Sequence, residues 1–231
     1  LKTIQWLSDL QTKSIHPFTG AASGGWAWTD LSGGVPDADD TSGAIRILAG
    51  SRNVDIDAGI RWLIDLQNTD GGWPTFCRGW GHLPFDKSSP DITAHALRAL
   101  IVARKEKASC LIDKAIDNGL KYLKSSQRSN GSWVPLWFGC QSASDHTNSV
   151  FGTSRVLALL SNIKDNCIDE AALRYLLSVQ NSDGGWGGNN DCSSTIEETA
   201  VAVRGITGYT ESKYVKLAIE KGIAYLVSRI N

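Results

Sequence analysis

Three carboxylates crowd four positions in the stretch GGVPDADDTSGAIRIL: Asp37, Asp39 and Asp40 follow Pro36 and open an apolar run. Neighbouring anions disfavour one another's ionisation. Beside apolar surface such a cluster can therefore keep a carboxyl protonated near neutral pH. It also titrates as a unit, sharing protons among its members. That is the chemistry of a strong proton donor. The same residues suit a helix N-terminus, where a carboxylate caps exposed N–H groups and favours the dipole. The two readings are compatible, because a cap would fix the acids at a helix mouth. A calcium loop fails on register: counted from Asp37, the sixth position is Ser42 where glycine is needed, and the twelfth is Leu48 where glutamate is needed.

His95, in PDITAHALRAL, is the histidine with a setting that suggests work. Asp91 stands four residues before it, on the same face of a helix, and could orient the ring. A histidine there is otherwise a satisfied core residue. His16, His82 and His146 have no such context.

The elements that must hold these groups follow from an internal repeat. QNTDGGW (67–73), QRSNGSW (127–133) and QNSDGGW (180–186) share one pattern, and Gln11 with GGWAW (24–28) is a looser copy. The glutamines fall 56, 60 and 53 residues apart, which suits two helices plus a substantial loop per unit. An amphipathic segment precedes each glutamine, as in IDAGIRWLIDLQ, where Ile60, Leu63 and Leu66 recur at helical spacing with Trp62. After each tryptophan comes a loop and a more apolar helix: TSGAIRILAG, DITAHALRALIVAR, NSVFGTSRVLALLS and SSTIEETAVAVRGI. Ser, Thr, Asp and Asn at their starts read as N-caps. The alternation predicts an outer amphipathic layer around an inner apolar one, with negligible strand. The Asn/Asp-Gly turn ends each outer helix through a left-handed glycine. Trp73, Trp133 and Trp186 are expected to pack, their rings stacked on the glutamine amides to pin the loops.

Bulk composition narrows the classes. The chain has 231 residues, with 23 Lys+Arg against 24 Asp+Glu, so no basic excess points to nucleic acid. No apolar run approaches a transmembrane length, and no signal peptide is visible. Five widely spaced cysteines (Cys77, Cys110, Cys140, Cys167, Cys192) include no CxxC, and read as free thiols in a reducing, cytoplasmic setting. Methionine is absent even at position 1, so a fragment or processed product is expected.

The glutamine-to-tryptophan repeats together with PDADDTSG resemble the squalene–hopene cyclase and oxidosqualene cyclase family over nearly the whole chain. The repeats match its QW motifs, Asp37-Ala38-Asp39-Asp40 its DXDD motif, and PDITAHALRAL its segment bearing the histidine that partners the catalytic acid. The resemblance implies an all-α fold, an α6/α6 (α/α toroid) barrel of alternating inner and outer helices. About nine of its twelve helices are countable, so one truncated domain over 1–231 is expected, lacking the family's second barrel. It implies a class II terpene cyclase, an isomerase that protonates a polyprene alkene and lets the cation polycyclise. Asp39 would donate the proton, with Asp37 and Asp40 positioning it and a charged His95 steadying the carboxylate left behind. Trp28, Phe76 and Trp137 match aromatic cavity-lining positions, where ring faces stabilise a cation without attacking it. Loop packing is an equal reading of each. No metal or cofactor is implied. The partners implied are a linear isoprenoid such as squalene, a missing cyclase domain or a second copy at an open edge, and peripheral membrane contact.

Two other α6/α6 families fit less well. Prenyltransferase β-subunits need Asp, Cys and His on zinc; Asp191 and Cys192 are present, but no histidine follows His146. Thioester domains need Cys and Gln three apart, whereas Cys140 and Gln141 are adjacent. The remaining rival is a cyclase-derived helical scaffold without activity that binds a lipid or a protein partner. Glu197 and Glu198, at the head of the last inner helix, would make an apolar cavity polar if they pointed inward.

Overall fold

The computed structural model describes residues 2–51, 54–75, 86–163 and 168–230. Among them are nine α-helices: α1 (Lys2–Asp9), α2 (Ala38–Leu48), α3 (Asp57–Leu66), α4 (Pro90–Glu106), α5 (Cys110–Ser126), α6 (Ser149–Leu160), α7 (Ile168–Ser178), α8 (Ile196–Ile206) and α9 (Lys213–Val227). The described strand content is one antiparallel pair of two-residue strands, β1 (Trp73–Pro74) and β2 (Ser88–Ser89), with Trp73 opposite Ser89. None of the described helices is long and apolar enough to cross a membrane. Contacts divide the chain into two units, Leu1–Leu123 and Lys124–Asn231.

In the first unit α2 packs along α4; in the second α6 packs along α8. These are the apolar helices of the repeat. In α6 every residue from Ser149 to Ser154 is buried, as are Val156, Leu157, Leu159 and Leu160. The preceding helices are amphipathic as expected: α3 buries Ile60, Trp62, Leu63 and Leu66 and exposes Arg61 and Asp65.

The repeated turn works as a joint between consecutive outer helices. The Gln67 amide donates to the carbonyl of Gly71 in its own turn (2.8 Å) and to that of Ala115 on α5 (2.9 Å). Gln127 does the same with Gly131 and Ile168, and Gln180 with Gly184 and Ala218. Gly71 has φ +92, and a Cβ there would lie 2.4 Å from the Asn118 carbonyl oxygen, so only glycine lets the turn sit down on α5. One residue on, Gly119 leaves room for the Trp73 ring, which a Cβ would meet at 2.9 Å. Trp73 is fully buried, as are Trp133 and Trp186, and its indole N–H donates back to Leu63 at the end of α3 (2.7 Å). The tryptophans therefore pack, as expected. The glutamines pin the turns by hydrogen bonds that reach one helix further along the chain than their own loop.

Cys110 is exposed, while Cys140 and Cys192 are buried with their sulfurs 3.7 Å apart and no disulfide. Burial works against ionisation of both. At Cys140 hydrogen bonds from Ser142, Cys192 and the backbone outweigh it and lower the thiol's pKa, whereas Cys192 is raised. Cys77 and Cys167 lie outside the described residues.

Candidate active site

The acids sit where the loop after Trp26 meets α2. Trp26 donates its backbone N–H to the Thr41 hydroxyl (2.9 Å), and Asp37 donates its own to the Trp26 carbonyl (3.0 Å). Ala27 and Pro36 pair across the loop as an isolated antiparallel bridge. The polar start of TSGAIRIL thus supplies the hydroxyl that fixes the loop, while Ala38, Ala44, Ile45 and Leu48 bury the helix face beneath.

Asp37 is the N-cap of α2. Its Oδ1 accepts the backbone N–H of Asp40 at 2.7 Å, and only 6 % of the residue is exposed. Burial, followed by a hydrogen bond shared with the Asp40 carboxyl and the nearby charges of Asp40 and Asp39, pushes its pKa up to about 9, against the opposing pull of the Asp40 N–H. Asp37 is therefore a neutral acid at pH 7. Cap and acid are one residue, as the compatible readings of the sequence allow.

Asp39 faces the other way, its side chain 48 % exposed, and its Oδ1 lies 2.5 Å from Nδ1 of His95. His95 is on α4, the apolar helix packed along α2, and its side chain is 12 % exposed. Its other ring nitrogen, Nε2, is 3.3 Å from Nη1 of Arg46. Both ring nitrogens are thus engaged by α2. Asp91, which the sequence offered as able to orient the ring, is buried and accepts from the Ser89 hydroxyl (2.5 Å), at the head of its own helix.

The structure thus gathers Asp37, Asp39, Asp40 and His95 at one place in the first unit. Trp28 adjoins them in sequence just past the Ala27–Pro36 bridge, with 72 % of its surface exposed. Trp137 belongs to the second unit, in the loop after Trp133, and is 40 % exposed. Beside it in sequence Phe138 stacks on Phe151, ring centroids 4.5 Å apart. Phe76 lies outside the described residues. Among the described residues no group of three or more His, Cys, Asp or Glu side chains is arranged to hold a metal ion.

Two participants escaped the sequence reading. Arg46 stands seven residues after Asp39, two helical turns on the same face, a spacing that could have flagged it. Asn148 caps α6 by accepting from Phe151 N (3.0 Å) and donates to Glu198 Oε1 (2.9 Å). Nothing local in the sequence links residues 50 apart.

Comparison with known proteins places the chain by family and fold. A family model described as the squalene-hopene cyclase C-terminal domain matches residues 1–231. A squalene–hopene cyclase of Bradyrhizobium diazoefficiens is 28 % identical over 243 residues, covering 90 % of this chain and 35 % of that protein. The chain therefore spans about a third of that relative. Among solved structures, ent-copalyl diphosphate synthase from Streptomyces platensis aligns with a TM-score of 0.73 at 19 % identity, over 98 % of this chain and 39 % of that one. A type II terpene cyclase from Scytonema, in complex with geranylgeranyl dihydroxybenzoate as substrate, aligns at 0.69 and 18 % identity, over 100 % and 62 %. At such identities the likeness is one of fold, and the fold is the all-α, α/α barrel class that the family resemblance implied.

Proposed function

Starting from the chain's membership of the squalene–hopene cyclase C-terminal domain family, we propose that it is the acid-bearing domain of a class II terpene cyclase. The reaction is an isomerisation: a carboxylic acid protonates a terminal alkene of a linear isoprenoid, the cation closes rings, and a final proton loss returns the balance. The observation that carries the reading is the Asp39–His95 contact at 2.5 Å beside a carboxyl, Asp37, that keeps its proton at neutral pH.

Asp39 is the donor because it is the half-exposed member of the cluster that pairs with His95, where a substrate can reach it. His95 donates to its Oδ1 and so stabilises the carboxylate left when the proton departs. Asp37 and Asp40 share a hydrogen bond, and the proton on Asp37 limits the charge that accumulates around Asp39. Protonating an alkene demands a strong acid shielded from water, since a wet site would quench the cation. Trp28 is offered as a ring face for that cation; the assignments of Phe76 and Trp137 rest on the family resemblance alone. A squalene-like polyprene is the substrate class, drawn from the relatives. The shielding would come from a second domain, as the family resemblance implies.

The test is product formation. The full-length protein is incubated with squalene and with geranylgeranyl-bearing polyprenes, and polycyclic products are read by mass spectrometry. Cyclic products that disappear in Asp39→Asn are expected. Cyclisation that survives Asp39→Asn unchanged removes Asp39 from the reaction, and no cyclic product from any linear polyprene defeats the reading as a whole.

A further inference from the structure

We propose that Arg46 is a positioning residue that fixes the tautomer of His95 and supplies the positive charge behind the Asp39 carboxyl. This rests on the reading of Asp39 as proton donor. A guanidinium carries five N–H donors and no acceptor, and it does not lose its proton in proteins. Set 3.3 Å from His95 Nε2, it requires that nitrogen to present a lone pair. The ring's single proton is then on Nδ1, which donates to Asp39 Oδ1 at 2.5 Å. A doubly protonated ring would set N–H against N–H at Arg46.

The arrangement therefore differs from the charged imidazole expected from the family resemblance. The cation is permanent and lies one ring further back, and the neutral imidazole passes its influence to the acid through a single hydrogen bond. One helix presents both partners, since Asp39 and Arg46 lie two turns apart on α2 and clasp a ring projecting from α4. Among the described residues, the elements packed against the ring carry these other charged groups. From α2 come Asp40 and the neutral Asp37; on α4 itself Asp91, bonded to Ser89, and Arg98 lie about a turn to either side. Strands β1 and β2, which also pack on α4, contain no charged residue. On α3, Asp57 pairs with Lys107 at the far end of α4, and Arg61 and Asp65 are exposed.

The experiment uses the intact protein, with histidine labelled by ¹⁵N and the His95 signals assigned by their loss in His95→Gln. The expected native spectrum at pH 7 shows protonated Nδ1 and unprotonated Nε2. In Arg46→Met that fixed tautomer should be lost, with proton signal on Nε2 as well, and Arg46→Lys should restore part of the native pattern. In parallel, cyclisation by Arg46→Met should fall about tenfold, chiefly in kcat, relative to the native protein. A native His95 doubly protonated at pH 7, or a folded Arg46→Met with unchanged tautomer and turnover, overturns the proposal. If Arg46→Met does not fold, the native spectrum and Arg46→Lys decide it. The spectra read Arg46 whatever the activity does, whereas Asp39→Asn reads the functional assignment, so the two can fail separately.

Discussion

The heads of α2 and α8 are built on one plan and do opposite things. Each has a cap residue (Asp37, Thr195) and, four positions later, a buried threonine whose hydroxyl receives the backbone N–H of a tryptophan: Thr41 from Trp26 and Thr199 from Trp186, both at 2.9 Å. Each carries two acids between them, Asp39 and Asp40 in one, Glu197 and Glu198 in the other. At α8 the buried acid is consumed. Glu198 accepts from Asn148 (2.9 Å) with one oxygen and from the Thr195 hydroxyl with the other, and Glu197 is exposed. At α2 the cap is itself a carboxyl, buried enough to stay protonated, and the neighbouring helix offers a histidine instead of an amide. The frame sets where an acid stands. The cap's side chain and one residue on the next apolar helix set whether it is a lock or a reagent.

The widest separation between the two heads should be in catalysis. Asp39→Asn removes the donor, and loss of a general acid lowers turnover by about 10²–10⁴-fold. Glu197→Gln, at the corresponding position of α8, should leave turnover within about twofold. Equal effects of the two changes on product yield would erase the distinction.

Stability should separate them the other way. Asn148→Ala strands the Glu198 oxygen in a buried site and removes the α6 cap, costing about 2–3 kcal/mol. Asp39→Asn, on a half-exposed side chain, should cost under about 1 kcal/mol. Urea midpoints at constant m-value measure both.

What the sequence discloses follows the same division. The repeat, the helix order and the packing role of Trp73, Trp133 and Trp186 are legible because periodicity and the glycine turns are local. The acids and His95 are found because their motifs are short. What was not legible is what depends on one helix meeting the next. The Gln67 amide reaching α5, Arg46 behind His95, Asn148 on Glu198 and Asp91 turned to Ser89 are all choices of partner made by packing. The exposure of Glu197 and the burial of Glu198 likewise follow from neighbours, not from their own positions in SSTIEETAVAVRGI.

Asp37 gives a smaller effect whose sign distinguishes the heads. Its pKa is about 9 folded against an ordinary 3.8, so the folded state binds the extra proton between those values. Its contribution is full below about pH 4 and is lost as pH rises towards 9. Asp37→Asn mimics the neutral acid: its carbonyl can accept from Asp40 N, and its amide can donate to the Asp40 carboxyl. The variant should gain on the order of 1–3 kcal/mol at pH 8 and little at pH 4 while losing cyclisation. Thr195→Asn, at the corresponding cap, should show no such rise with pH. Denaturation at the two pH values tests it; a pH-independent change at Asp37 would mean the carboxyl is ionised in the fold.

The smallest expected effect tests the likeness itself. Thr41→Val and Thr199→Val are nearly isosteric, and both sites are fully buried. Each leaves a tryptophan N–H without its hydroxyl and also breaks a return bond of 3.3 Å from that hydroxyl to the tryptophan carbonyl. An unsatisfied buried donor costs about 1–2 kcal/mol. Because the two sites share burial, partner and distances, the two losses should agree within about 0.5 kcal/mol, the ordinary error of additivity between distant sites. Their catalytic effects should not agree. Thr41 fixes the loop that leads into Asp37, so its loss should lower turnover several-fold, with the His95 tautomer unchanged because His95 and Arg46 are untouched. Thr199→Val should leave turnover alone. Matched stabilities with unmatched turnovers are what a repeated frame carrying one reactive head requires; a stability gap above 1 kcal/mol would show that the heads differ in their frame as well as in their acids.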